Sequence, residues 1–153
     1  MCGLPGSGKT TKARELEERE SALRLDADEW MVPLFGQHMP REVFDVRLAQ
    51  VRALQWQVAE RALRLGVNVV LDWGFWRAAE RRVYAAHARD LGAKVELWFF
   101  DVDRQVLLKR LHARNETLPP GTFQIDESAL VLFESIFEPP LAFEELEIVR
   151  FGR

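Results

Sequence analysis

The 153 residues suffice for one domain, spanning 1–153, whose core needs no covalent staple. Apolar residues make up 48%, charged ones 29%, and the formal net charge is −3, which argues against a sequence-wide attraction to nucleic acid and leaves only a local basic groove as a route to it. The single cysteine, Cys2, excludes an intramolecular disulfide and a cysteine-based metal site and suggests a reducing, cytoplasmic setting, and no apolar run reaches the ~18 residues of a membrane span.

The chain opens on Gly3-Leu4-Pro5-Gly6-Ser7-Gly8-Lys9-Thr10, which fits G-x-x-x-x-G-K-[ST] in full and continues into Thr11. Glycines let successive backbone N–H groups curl around a phosphate without Cβ clashes. A helix starting near Gly8 aims its positive N-terminus at the same anion. Lys9 is long enough to reach the β- and γ-phosphates of a nucleoside triphosphate, and the Thr10 hydroxyl suits Mg²⁺ beside them. The stretch Gly3–Thr11 is therefore expected to bind ATP or GTP with magnesium.

After the loop, "TTKARELEERE" reads as a helix and "ALRLD" as a short strand ending on an acid. "ADEWMVPLFGQHMP" has Pro and Gly punctuation and reads as a loop with a helical turn. From Arg41 to Leu65 a helical stripe runs through Phe44, Leu48, Val51, Val58, Ala62 and Leu65, interrupted by Gln55, with Gly66 as its stop. "VNVVLD" has the continuous apolar character of a strand buried on both faces. "RAAERRVYAAHARDLG" is a helix, "KVELWFFDV" a strand and "RQVLLKRLHARN" a further helix. "ETLPPGTFQID" is irregular, Asp126 caps the helix "ESALVLFESIF", and "LEIVRF" is the last strand. Strands alternating with helices predict an α/β fold with a parallel sheet.

In such a sheet ligands gather at the carboxyl ends of the strands. Asp72 ends "VNVVLD" and is placed to hold Mg²⁺, directly or through water, or else to cap the following helix. Asp26 and Asp28 follow "ALRL". A kinase acting on a hydroxyl needs a carboxylate there to accept the proton, and a pair capping the loop is the alternative. Arg110 and Arg114, four apart, share a helix face just before "NETLPPGTFQID" and could neutralise charge on a transferred phosphoryl group. Trp30, Trp73 and Trp76 either stack on a ligand or pack in the core. His38, His87 and His112 have no ligand spacing.

The segments "GLPGSGKTT", "LDADEWM", "VVLDWGFWRAAERR" and "FDVDRQVLLKRLHARN", in that order, resemble small P-loop kinases of the polynucleotide kinase, zeta toxin and chloramphenicol phosphotransferase kind, and with them the AAA-type ATP-binding proteins. The resemblance spans nearly the whole chain. It implies a three-layer α/β/α P-loop NTPase fold whose five parallel strands run in the order 2-3-1-4-5. It aligns the family's acid-acid-aromatic-arginine run with Asp28-Glu29-Trp30-Met31, which makes Asp28 the general base and Asp26 an indirect partner or metal contact. Met31 replaces the arginine that contacts the acceptor's phosphate, which argues against a nucleic-acid acceptor. The lid-helix arginines of the family fall on Arg110 and Arg114.

In that order strand 1 is central and leads into the phosphate loop, yet only Met1 and Cys2 precede Gly3, and two residues cannot replace a strand of ~5. Backbone groups left unpaired there would cost ~1–3 kcal/mol each. The expectation is therefore a gap in the sheet, with Met1 not the functional start and an apolar segment of about half a dozen residues upstream. The function read from the sequence is an ATP-dependent kinase with a hydroxyl-bearing small molecule as acceptor, a nucleic-acid end being less favoured. The alternatives are a regulatory ATPase module without an acceptor and a toxin-like kinase acting on nucleotide sugars.

Overall fold

The computed structural model describes residues 1–152 and shows an α/β chain whose strands are all parallel to their neighbours. Helix α1 (Lys9–Glu20) starts directly from the phosphate loop behind Gly8, whose φ of 98° turns the chain into the helix. It ends at Ser21, whose amide donates to the Glu17 carbonyl. Strand β1 (Leu23–Asp26) pairs with β2 (Val69–Asp72), Leu23 opposite Val69, so that Asp26 lies beside Asp72 at the carboxyl ends. Strands β3 (Glu96–Asp101) and β4 (Glu147–Gly152) form a second parallel pair.

The start of the chain runs between the two pairs. Cys2 bridges to Gly74 on one side and Phe99 on the other. Its amide donates to the Trp98 carbonyl at 2.8 Å and its carbonyl accepts from the Phe100 amide at 2.9 Å, while Gly3 donates to the Gly74 carbonyl at 3.0 Å. The Met1 amine donates to the Leu71 carbonyl at 2.8 Å, and burial pushes its pKa down. Beyond Met1, between β2 and β3, lies a cavity of ≈ 150 Å³ lined by Met1, Leu71, Leu97, Trp56 and Tyr84 among others.

The segment expected to be a loop after β1 is instead a helix, α2 (Ala27–Phe35). The Asp26 carboxylate caps it by accepting from the amides of Asp28 and Glu29, and Gly36 ends it. Pro33 sits inside on the exposed side, so this helix tolerates the loss of one amide donor. Helix α3 (Arg41–Arg64) has the expected span and most of the expected face: Val51, Gln55 and Ala62 are buried and Phe44 and Leu48 pack against the core, but Ala59 is buried where Val58 was expected, and Val58 is 37% and Leu65 81% exposed. The helix packs against α2, β1 and β2.

Helix α4 (Ala78–Asp90) is tied down by a fully buried ion pair, Arg81 to Glu144, with contacts of 2.6 and 2.7 Å. Arg81 also donates to the carbonyls of Phe75 and Glu138, and so pins the segment after the last long helix to the turn that follows β2. Helix α5 (Arg104–Thr117) buries Leu107 and Leu111 against Leu130 of α6 (Glu127–Ile136), which Asp126 caps as expected, accepting from the Ala129 amide at 2.8 Å. No helix among the described residues is long and apolar enough to cross a membrane.

Candidate active site

The phosphate loop lines one end of a cavity of ≈ 1310 Å³ that also contains Asp26, Asp28, Asp72, Arg110 and Arg114. The loop's shape depends on its glycines. Gly3, Gly6 and Gly8 all have positive φ, and a Cβ on Gly6 would stand 3.2 Å from the Leu107 carbonyl and from the Leu111 side chain. The amides of Gly6 and Gly8 and those of the first turn of α1 find no backbone acceptor among the described residues. They form a set of converging donors at a helix N-terminus, which is the arrangement that holds a phosphate. The Lys9 ammonium curls over this set, donating to the Leu4 carbonyl at 2.8 Å and to Ser7 Oγ at 3.4 Å. The protein packed around it pushes its pKa down, and nearby Asp72 works against that shift. Pro5, Thr10 and Thr11 line the same cavity.

The three acids have separate situations. Asp26 is committed to the cap of α2 and to Arg24 at 3.4 Å, so its part in the site is indirect. Burial, then the charges of Asp72 and Asp28, push its carboxyl up to about 7. Glu29 is held by Arg24 through both oxygens and by Arg14. Asp28 stands half-buried in the cavity, and its carboxylate has no hydrogen-bond partner among the described residues. Burial and then Asp72 raise it to about 6, while Lys9, Arg52 and Arg114 oppose the rise. Asp72 does not cap α4, which starts six residues later at Ala78. Both its oxygens are buried without a hydrogen-bond partner.

A buried carboxylate with neither oxygen satisfied is a group waiting for a cation. No cluster of three or more His, Cys, Asp or Glu that could hold a metal exists among the described residues. Magnesium binds through one or two protein oxygens plus substrate phosphates and water, so Asp72 with the hydroxyl of Thr10 fits that ion.

Gln55, which interrupts the apolar stripe of α3, links the acid-bearing strand ends. It is fully buried, donates to the Asp26 carbonyl at 2.8 Å and accepts from the Trp73 indole at 2.7 Å. One side chain thus ties the end of β1, from which Asp28 departs, to the residue after Asp72. The only hint of this in the sequence is a polar residue where a helix face is otherwise apolar. Gln55→Leu leaves two buried polar groups without partners and is expected to cost about 2–4 kcal/mol in urea unfolding. An unchanged midpoint would show that the link carries no stability.

Arg110 donates to the carbonyls of Gly6 and Ser7, each at 3.3 Å, so it reaches the phosphate loop. Arg114 donates to the Phe123 carbonyl at 3.2 Å, with its Nε buried and unpartnered. Burial lowers its pKa and Asp28 acts in the opposite direction. Of the tryptophans, Trp73 belongs to the core and Trp30 packs against that core, while Trp73 and Trp76 both line the cavity and Trp76 donates to the Gly3 carbonyl at 3.1 Å. His87 packs against Trp56 and Tyr84. Arg52, which carries no motif, also lines the cavity, donating to Glu80 at 2.7 Å and to the Trp73 carbonyl at 2.6 Å.

The sequence profile of the AAA domain family matches residues 1–140. The chain belongs to that family. Two solved structures share the fold of this AAA-domain chain. One is a candidate kinase from Chloroflexus aurantiacus J-10-fl, 18% identical, with a TM-score of 0.75 over 99% of this chain and 84% of that one. The other is Chaetomium thermophilum Kti12 in complex with ADP-AlF3, 15% identical, with a TM-score of 0.64 over 99% of this chain and 86% of that one. Curated protein sequences give no match. The fold is thus that of the P-loop kinases and their ATP-binding relatives.

Proposed function

We propose that this AAA-domain chain is an ATP-dependent kinase that transfers the γ-phosphate to the hydroxyl of a small molecule. The observation that carries the reading is the free carboxylate of Asp28 in the cavity that holds the phosphate loop, next to an Asp72 with two unsatisfied oxygens. Loop amides and Lys9 grip the triphosphate. Asp72 and Thr10 hold Mg²⁺, which when bound neutralises charge shared between the β- and γ-phosphates. Asp28 accepts the proton of the acceptor hydroxyl as its oxygen bonds to the γ-phosphorus, and ADP departs with the electrons of the broken bond. Arg110 and Arg114 steady the charge on the phosphoryl group in flight. Calorimetry with Mg²⁺-ATP and Mg²⁺-GTP tests the first step: binding heat with at least one is expected, and its absence with both would refute the reading.

The rival is a regulatory ATPase without an acceptor. The fold shared with Kti12, whose structure holds ADP-AlF3, suits either reading. The room around Asp28 favours the kinase, because a cavity of ≈ 1310 Å³ walled by Phe44, Trp76 and Phe123 leaves space for an acceptor larger than water.

We also propose that the two strand pairs belong to one sheet in the order β1-β2-(residues 1–3)-β3-β4, equivalent to 2-3-1-4-5. The Cys2 bridges to both sides support it. A five-residue Val/Ile/Leu extension joined ahead of Met1 should fill the ≈ 150 Å³ cavity, replace a buried ammonium by an amide and raise Tm by about 5 °C or more. A lowered Tm would count against that order.

A further inference from the structure

We infer that the acceptor is an uncharged, ring-bearing alcohol and that the site turns away alcohols carrying a phosphate. This rests on the kinase reading above. Beyond Asp28 the cavity continues between α3, the turn after β2 and the segment leading into α6. Its walls there are Met39, Phe44, Leu48, Trp76, Phe123 and Phe133, all half-buried. Phe44 meets Phe123 edge-on at 5.4 Å between ring centroids, and Trp76 meets Phe133 at 4.7 Å. Such a wall offers ring faces and edges to a planar or apolar body.

The same end carries three arginines, each facing an acid, the Arg41 and Arg77 pairs exposed and weak and the Arg52 pair partly buried. Arg41 pairs with Asp45 at 3.0 Å, Arg52 with Glu80 at 2.7 Å and Arg77 with Glu138 at 4.0 Å. Arg52 is further committed to the Trp73 carbonyl and lies over the Trp73 ring. A phosphate seated on Arg52 would have to displace Glu80 from a partly buried pair, leaving a carboxylate uncompensated. The remaining cations of the lining lie at the other end: Lys9 and Arg110 on the loop, Arg114 on the Phe123 carbonyl, Lys12 beside Glu15 and Arg14 beside Glu29. Met31 is fully buried in the core and presents no charge to the cavity. The lining holds eight Lys and Arg against six Asp and Glu, a surplus that bound Mg²⁺-ATP takes up, so little positive charge is left for a phosphate on the acceptor, and the apolar wall favours a neutral one.

The test uses matched alcohols and the chain as it stands, with ADP release as readout: thymidine against thymidine 3′-monophosphate, and phenyl β-glucoside against glucose. The 5′-hydroxyl is the same in the first pair, and the second pair shares the sugar ring and differs by the phenyl group. Thymidine and phenyl β-glucoside should each have kcat/KM about tenfold or more above their partners. Where turnover is too slow to rank, quenching of tryptophan emission by the same compounds ranks their Kd, with the same order expected. Phe44→Ala and Phe123→Ala should each weaken phenyl β-glucoside by about tenfold. Preference for the nucleotide, or equal treatment of either pair, overturns the inference while leaving the kinase reading in place. Only loss of Mg²⁺-ATP binding by the unaltered chain reaches that reading.

Discussion

Lys9→Met is expected to lose phosphoryl transfer by about a hundred- to a thousandfold while the chain keeps its fold. The ammonium is the only side-chain cation seated within the loop, and it is the group that can follow negative charge as it moves between β- and γ-phosphates. Methionine keeps the length and apolar stem but not the charge. The fold should not suffer, because Lys9 is a burden without a phosphate beside it: the surrounding protein pushes its pKa down, and among the described residues its donors reach the Leu4 carbonyl and Ser7 Oγ. Tm should stay level or rise, and Mg²⁺-ATP binding should weaken in calorimetry. A variant with undiminished transfer would remove the loop from the chemistry.

The second large effect concerns Asp28. Asp28→Asn should lower transfer by about a hundred- to ten-thousandfold and leave Mg²⁺-ATP binding nearly intact. Asparagine fills the same space but cannot take a proton. A regulatory ATPase turns over without any acceptor, so ADP release that rises with an added alcohol, and loses that rise in the asparagine variant, separates the two readings. The pH profile adds a second signature. Asp28 acts as a base only when ionised, and its carboxyl is raised from 3.8 to about 6. kcat/KM of the unaltered chain should therefore be flat above pH ~6.5 and fall about tenfold per unit below ~5.5. A profile flat down to pH 4.5, or full activity in the asparagine variant, would transfer the role of base to another group.

The loop, the acids and the caps were legible because each depends on local chemistry. Three glycines at fixed offsets can be read without knowing the fold, and so can an aspartate at the end of an apolar run. The register of β1 against β2 then set Asp26 beside Asp72, and α2 carried Asp28 onward into the cavity. What stayed hidden depends on neighbours distant in sequence. Pro33 and Gly36 suggested a loop, but the Asp26 cap and packing of α2 against α3 stabilise a helix there. The stripe of α3 was right at Phe44, Leu48, Val51 and Ala62 and slipped by one residue at Val58, where Ala59 is buried instead. Gln55 looked like a flaw in a stripe until its two partners came from β1 and from the residue after β2. Nor could the sequence show what Met1–Gly3 pair with, since the partners Leu71, Gly74 and Phe99 are distant along the chain.

The contact between Gly6 and α5 bears on how the arginines are delivered. With no side chain on Gly6, the backbone of Leu107 and the side chain of Leu111 rest directly on the loop. Arg110 and Arg114 therefore travel with the cradle itself, on a helix that is already seated. Their reach toward a triphosphate is set ahead of the nucleotide's arrival, and large-scale closure of a separate flap need not bring them in.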